Sequence, residues 1–317
     1  MTQARALIEY GSLLAWRRQR RNRFPIHLNA IPITLMTTPP PDLAPHSATI
    51  AFIGGGNMAR SLIGGLLARG TAAANIRVSE PVDGLREALI RDFGVQAGAD
   101  NAEATGPAGL WVLAVKPQVM RTVCEALAPM AQARRPLVVS IAAGITAAQL
   151  QRWLGGGIAV VRTMPNTPAL LGAGVTGLFA SAEVDANGRE RAANLLFSAG
   201  KTVWIESEAQ MDAVTAVSGS GPAYIFLMAE AMEAAALAEG LPAEAARTLV
   251  LETVLGAARM LTESGEDPAQ LRGRVTSPGG TTQAAIETFE AGGLRDLVAA
   301  AVRNATQRGK QLSAAND

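Results

Sequence analysis

The chain has 317 residues, 49% of them hydrophobic and only 4% aromatic, enough to bury a core of Ala, Leu and Val and long enough for two domains. A formal net charge of +1 implies no nucleic-acid surface, and the single cysteine, Cys124, excludes an internal disulfide and a Cys-based metal site. No stretch is long and uncharged enough to span a bilayer, since the most apolar one, 223–238, carries Glu230 and Glu233. A soluble protein of the reducing cytoplasm is expected, with no metal and with Cys124 packed in a helix rather than acting as a nucleophile.

Six arginines (Arg5, Arg17, Arg18, Arg20, Arg21, Arg23) face only Glu9 and Asp42 in the first 46 residues, so the remainder carries 22 basic and 25 acidic side chains. The apolar patch Leu13 to Trp16 precedes the arginines, the reverse of a secretory signal, while an Arg-rich, acid-poor segment also suits a mitochondrial transit peptide. The plainer expectation is that Met36 is the true start, residues 1–35 being upstream sequence read in frame and residues 1–47 a disordered leader.

From Ala48 to Ile53 runs a short apolar strand, followed at once by G-G-G-N-M-A and a helical pattern from Ser61 to Arg69 that stops at Gly70. Strand, glycine turn and helix in that order match the dinucleotide fingerprint: Gly54 for the tight turn, Gly56 for close approach to a pyrophosphate and Ala59 for helix packing. A second strand, Ile76 to Ser79, ends in Glu80, where an acid hydrogen-bonds a ribose. A glycine-rich turn with no ligand is the alternative. Leu110 to Val115, Leu137 to Ile141 and Ile158 to Val161 read as strands of a parallel sheet covered on both faces. Their carboxyl ends carry Lys116-Pro117, Ala142-Ala143-Gly144 and Met164-Pro165-Asn166-Thr167-Pro168. Weaker strands at Val175 to Ala180 and Thr202 to Ile205 complete the sheet.

Past Glu206 the pattern changes to long helices at Pro222 to Glu239, Pro242 to Thr262 and Leu294 to Leu312. The fold class expected is therefore an α/β Rossmann-like doubly wound sheet over 48–206 followed by an all-α domain over 207–317. Tyr224 to Met228 and Met232 exceed what a lone helical layer buries, which suggests dimerisation, although packing on the first domain is an equal reading. Ser218-Gly219-Ser220-Gly221 lets the backbone approach either a ligand or a neighbouring helix.

Near the end, R-V-T-S-P-G-G-T-T-Q (274–283) combines a Pro turn, two glycines able to take positive φ at Gly279 and Gly280, and hydroxyls at Thr281 and Thr282 where a helix to about Glu290 would be capped. Such a nest binds a carboxylate, or it is only a capped helix. The chemistry is narrowed by scarcity. His27 and His46 are the only histidines, both in the leader, and Lys116, Lys201 and Lys310 the only lysines. A reduction needing little acid or base help remains, and a protonated cyclic imine, already a hydride acceptor, is such a substrate.

Taken in order, F-I-G-G-G-N-M-A (52–59), A-V-K-P (114–117), A-A-G (142–144), M-P-N-T-P (164–168), S-G-S-G-P-A-Y (218–224) and S-P-G-G-T-T (277–282) closely resemble the pyrroline-5-carboxylate reductase family over about residues 48–312. The resemblance implies reduction of Δ1-pyrroline-5-carboxylate to L-proline with NADPH or NADH, the last step of proline biosynthesis, by dimers that often assemble into decamers. It further implies that Gly279, Gly280, Thr281 and Thr282 hold the substrate carboxylate, that the Thr282 hydroxyl approaches the ring nitrogen as the catalytic group, and that Glu208 lies near the substrate. For the cofactor it implies Gly54, Gly56, Asn57 and Met58 at the pyrophosphate, Asn101 at the adenosine end, and Val115, Lys116 and Ala143 at the ribose and nicotinamide end, with the backbone rather than the charge of Lys116 in contact. One departure stands out. Many members carry a small hydroxyl before the proline that is Pro81 here, accommodating a 2′-phosphate; this chain has Glu80.

Overall fold

The computed structural model describes Leu35, Met36 and residues 49–316. The arginine-rich stretch from Arg5 to Arg23, and with it the transit-peptide and upstream-sequence readings, lies outside the described residues. Leu35–Met36 (β1) corrects the leader expectation at two positions, because it pairs antiparallel with Val203 and Thr202. The outer strand of a sheet presents unpaired N–H and C=O groups that an extended segment can satisfy whatever its composition.

The sheet-forming part then runs β2 (Ile50–Ile53), α1 (Asn57–Ala68), β3 (Ile76–Ser79), α2 (Asp83–Phe93), β4 (Gln96–Gly98), α3 (Asn101–Thr105), β5 (Leu110–Leu113), α4 (Pro117–Arg134), β6 (Leu137–Ser140), α5 (Ala147–Trp153), β7 (Ala159–Met164), β8 (Gly174–Ala180), α6 (Ala186–Phe197) and β9 (Gly200–Trp204). Strand order among the described residues is β1-β9-β8-β7-β6-β5-β2-β3-β4. The six strands from β7 to β4 are mutually parallel, and β8 turns back antiparallel to β7.

Every residue of β2, β5 and β6 is buried, which is why these strands read as unbroken apolar runs rather than alternating ones. Alternate side chains feed two cores. Phe52, Leu62, Ile63, Leu66, Val112 and Leu195 fill one face; Trp111, Leu113, Met120, Leu127, Val138 and Leu150 fill the other. Each such side chain contributes about 1.5–3 kcal/mol by leaving water. Cys124 lies in the second core, fully buried, where loss of solvation pushes its thiol up to about 12, so it is a packing residue as expected.

Among the described residues no strand follows β9. The chain continues through α7 (Met211–Val214), a π turn (Thr215–Gly219), α8 (Gly221–Ala238), α9 (Ala243–Glu263), α10 (Pro268–Arg274), α11 (Thr281–Ala291) and α12 (Leu294–Ala315). α8 buries none of its residues, and α9 only Ala246 and Val250. No described helix is long and apolar enough to cross a membrane.

Candidate active site

All the motifs of the first part converge on the carboxyl edge of the parallel strands. At the end of β2, Gly54 takes φ +101 and donates its N–H to Ser79 O at 2.8 Å; a Cβ there would meet the Ala114 carbonyl oxygen at 2.7 Å. Gly55, whose purpose the fingerprint does not specify, is equally constrained, because a Cβ would stand 2.5 Å from Leu89 Cδ1. Gly56 is different. It is the N-cap of α1 at φ −67, exposed, with no protein atom within 4 Å of where a Cβ would be. No side chain caps α1 and no acid lies in its first turn, so the N–H groups of Asn57 and Met58 have neither a side-chain cap nor a nearby carboxylate to offset the positive end of the helix dipole. That cradle fits a pyrophosphate.

Glu80 stands beside this turn, at the tip of β3, and is only 7% exposed. Its Oε2 accepts from Gly55 N–H at 2.8 Å and its Oε1 from Val82 N–H at 3.0 Å, while Arg86 donates to the Glu80 carbonyl at 2.8 Å. The carboxylate is thus locked to the glycine turn. Asn101 opens α3, whose cap is the neighbouring Asp100, accepting from Ala102 N–H at 2.7 Å. Lys116, exposed, is the N-cap of α4 and forms no ion pair among the described residues; Val115 precedes it. Ala143 is exposed between buried Ala142 and Gly144 in the β6–α5 turn.

Two residues gain roles, one inside a quoted motif and one outside all of them. Asn166, in M-P-N-T-P, donates to Ser218 O at 3.1 Å and accepts from Val175 N–H at 3.0 Å, tying the β7 edge to the S-G-S-G segment. The close neighbour of that segment is Met164, since a Cβ on Gly219 would lie 2.5 Å from its Cε. The other is Arg162, 4% exposed, which reaches Glu208 Oε1 at 3.2 Å and Asp212 Oδ1 at 3.3 Å. Glu208 Oε1 also accepts from Ala147 N–H at 2.6 Å. The Glu208 carboxylate is therefore engaged within the chain, binding the start of α5 to β7.

The loop 277–282 stands between α10 and α11, in the helical part. Its hydrogen bonds are local: Gly280 N–H to Ser277 O at 3.0 Å, Thr276 Oγ1 to Arg272 O at 2.7 Å and Gly279 N–H to Gln283 Oε1 at 2.7 Å. Gly279 takes φ +70 as expected, but Gly280 does not, standing at φ −85 as the N-cap of α11. The capping expectation is corrected too. Thr281 and Thr282 fall one and two residues inside the helix, so neither hydroxyl caps it, because a cap must sit ahead of the free N–H groups it satisfies. Among the described residues neither hydroxyl has a hydrogen-bond partner.

A dinucleotide cradle at the switch of a doubly wound sheet, joined to helices that leave their apolar faces uncovered, defines a nicotinamide-dependent oxidoreductase that works as an oligomer. Residues 208–312 match the family model described as pyrroline-5-carboxylate reductase dimerisation, and residues 49–144 the one described as NADP oxidoreductase, coenzyme F420-dependent. The pyrroline-5-carboxylate reductase of Pseudomonas aeruginosa is 53% identical over 83% of this chain and 96% of its own, and that of Vibrio alginolyticus 44% over 83% and 97%. The solved structure of a pyrroline-5-carboxylate reductase from Coxiella burnetii superposes with a TM-score of 0.82 at 43% identity, covering 84% of this chain and 99% of the other. The chain belongs to the pyrroline-5-carboxylate reductase family. It reduces Δ1-pyrroline-5-carboxylate to L-proline with NAD(P)H, closing proline biosynthesis.

Proposed function

We propose that this reductase takes NADH in preference to NADPH, and the observation that carries this is the anchored Glu80 carboxylate. An adenosine ribose docking over the glycine turn would offer its hydroxyls to that carboxylate. A 2′-phosphate would meet a like charge that two backbone N–H groups prevent from swinging away; at about 4 Å such a pair costs about 4 kcal/mol for an effective dielectric of about 20, and solvent access reduces that. A Plasmodium falciparum relative, 27% identical, has been solved with NADP bound, so the fold as such admits the 2′-phosphate and the proposed preference rests on Glu80.

The bound nicotinamide supplies the hydride. The chain supplies the rest. We assign the pyrophosphate to the N–H groups of Asn57 and Met58 beside Gly54 and Gly56, the adenosine end to Asn101, and the ribose and nicotinamide end to Val115, Lys116 and Ala143. The loop from Gly279 to Thr282 takes the substrate carboxylate on its backbone N–H groups, and the Thr282 hydroxyl donates to or accepts from the ring nitrogen, holding the imine carbon toward the hydride donor. Because that loop bonds only to itself, it serves the edge of a second copy, which makes the dimer the unit that completes a site; decamers are the larger form the resemblance implies. The reaction is assigned to the cytoplasm, with 48–206 as the cofactor part, 207–317 as the substrate part and Glu208 organising the boundary between them.

The test is the ratio of kcat/KM for NADH and NADPH with pyrroline-5-carboxylate, alongside its six-membered homologue. NADH should be favoured by about tenfold, equal to about 1.4 kcal/mol, and Glu80→Ser should move the ratio toward NADPH. A native preference for NADPH of that size would overturn the assignment. Turnover faster with the six-membered ring would reassign the substrate, and no turnover with either would point to a nucleotide sensor.

A further inference from the structure

The β6–α5 turn, which carries Ala143, is held from the far end of the chain. Gly144 takes φ +72, and its carbonyl accepts from the Asn316 side-chain amide at 3.1 Å. The same amide nitrogen donates to Leu312 O at 2.8 Å, one turn back along α12, so the amide is fixed before it reaches the turn. Leu312 packs there as well, since a Cβ on Gly144 would lie 3.4 Å from Leu312 Cβ. Next to it the Ser313 carbonyl accepts from Gln149 Nε2 at 3.0 Å.

From the other side the turn is equally constrained. Thr146 and Gln149 form a reciprocal capping box at the start of α5, and Glu208 receives Ala147 N–H. Ala142 N–H donates to Ser140 Oγ at 3.4 Å. What remains outward-facing is Ala143. The positive φ of Gly144 turns its carbonyl toward α12, where the acceptor is held by the Asn316 amide.

We infer that Asn316 is a positioning residue for nucleotide binding: the last turn of α12 sets the A-A-G turn through the Gly144 carbonyl, and so couples the helical part to the grip on the nicotinamide end. This rests on the reading of Ala143 as part of that grip. Asn316 lies at the end of its helix and outside both cores, so its loss leaves the packing of the sheet intact.

The experiment compares the full chain with Asn316→Asp, which keeps the shape but loses the amide donor, and Asn316→Ala. NADH dissociation constants come from nucleotide fluorescence, with KM for nucleotide and imino acid, kcat and melting temperature measured on the same samples. Both variants should weaken NADH binding and raise its KM by about fivefold, the scale of one lost hydrogen bond, while KM for the imino acid moves less than about twofold and the melting temperature stays within about 2 °C. NADH affinity equal to that of the unmodified chain, or weakened only in step with a falling melting temperature, overturns the inference. If the unmodified chain itself binds no NADH, the nucleotide reading fails first and the coupling with it.

Discussion

The sheet part and the helical part of this chain solve the burial problem in opposite ways. Strands β2, β5 and β6 are covered on both faces by their own helices, and side chains as large as Phe52 and Trp111 are wholly buried. In α8 the same kind of residue is left out: Phe226 and Leu227 are each 65% exposed and Ile225 52%. A soluble monomer does not keep so much contiguous apolar surface in water. The contrast shows that the first part is a finished fold whereas the second is half of one, and the site divides along the same line. The glycine turn with its anchored Glu80 is formed within the sheet part, whereas the loop 279–282 hydrogen-bonds only locally within the helical part.

The comparison breaks most directly at the apolar face of α8. Phe226→Asp combined with Leu227→Asp places charge where a second copy should pack, and interface anchors of this kind are worth about 2–4 kcal/mol each. Sedimentation should show monomers at micromolar concentration and turnover should fall by about a hundredfold or more, while NADH binding by the sheet part persists within about threefold. A monomeric variant with full turnover would show that one chain holds a complete site. A variant that remains dimeric would place the interface elsewhere.

Thr282 sharpens the division at its other side. Its hydroxyl caps nothing and has no partner among the described residues, which leaves it open to a ligand. Thr282→Ala should lower kcat by roughly 2–4 kcal/mol of barrier, the scale of losing one positioned donor, with the melting temperature nearly unchanged. Thr281→Ala, which keeps the backbone N–H assigned to the carboxylate, should cost far less. Equal, small losses in the two variants would reduce the loop to a backbone nest and remove Thr282 from the chemistry.

How much of this was legible in the sequence follows the same boundary between local and distant pairing. The glycine turn, Glu80 and the strands Ile76–Ser79, Leu110–Leu113 and Leu137–Ser140 were readable because each depends on contiguous residues: an apolar run, a glycine at positive φ, a helix start. β4 was not, since Gln96-Ala97-Gly98 carries no apolar pattern and exists only as the edge partner of β3. The two threonines stand one and two positions inside the helix rather than at its cap because Gly280, not a hydroxyl, ends the turn. Arg162 follows the apolar run Ile158 to Val161 and finds its carboxylates 46 and 50 positions later, and Gly144 finds Asn316 172 positions later. No spacing rule encodes such pairs; they exist only once the helical part has docked.

The smallest effect tests whether the sheet part is as self-contained as its burial implies. Cys124, on α4, is fully buried in the second core, where burial pushes its thiol to about 12 from an ordinary 9.0, with the charge of Glu125 adding to the same direction. A thiol with a raised folded value is protonated in the folded state while the unfolded chain ionises. Its contribution to stability is therefore complete below about pH 9 and is lost as pH rises from 9 toward 12. Between pH 8 and pH 10 that loss amounts to about 1 kcal/mol. Cys124→Ala lacks it, and the Lys, Tyr and Arg titrations that affect both proteins cancel in the difference. The stability advantage of the native chain over Cys124→Ala, read from denaturant unfolding at the two pH values, should shrink by about that amount. A constant gap would mean that the thiolate is tolerated where it sits, and that water or a rearranged α4 enters a core that looks closed.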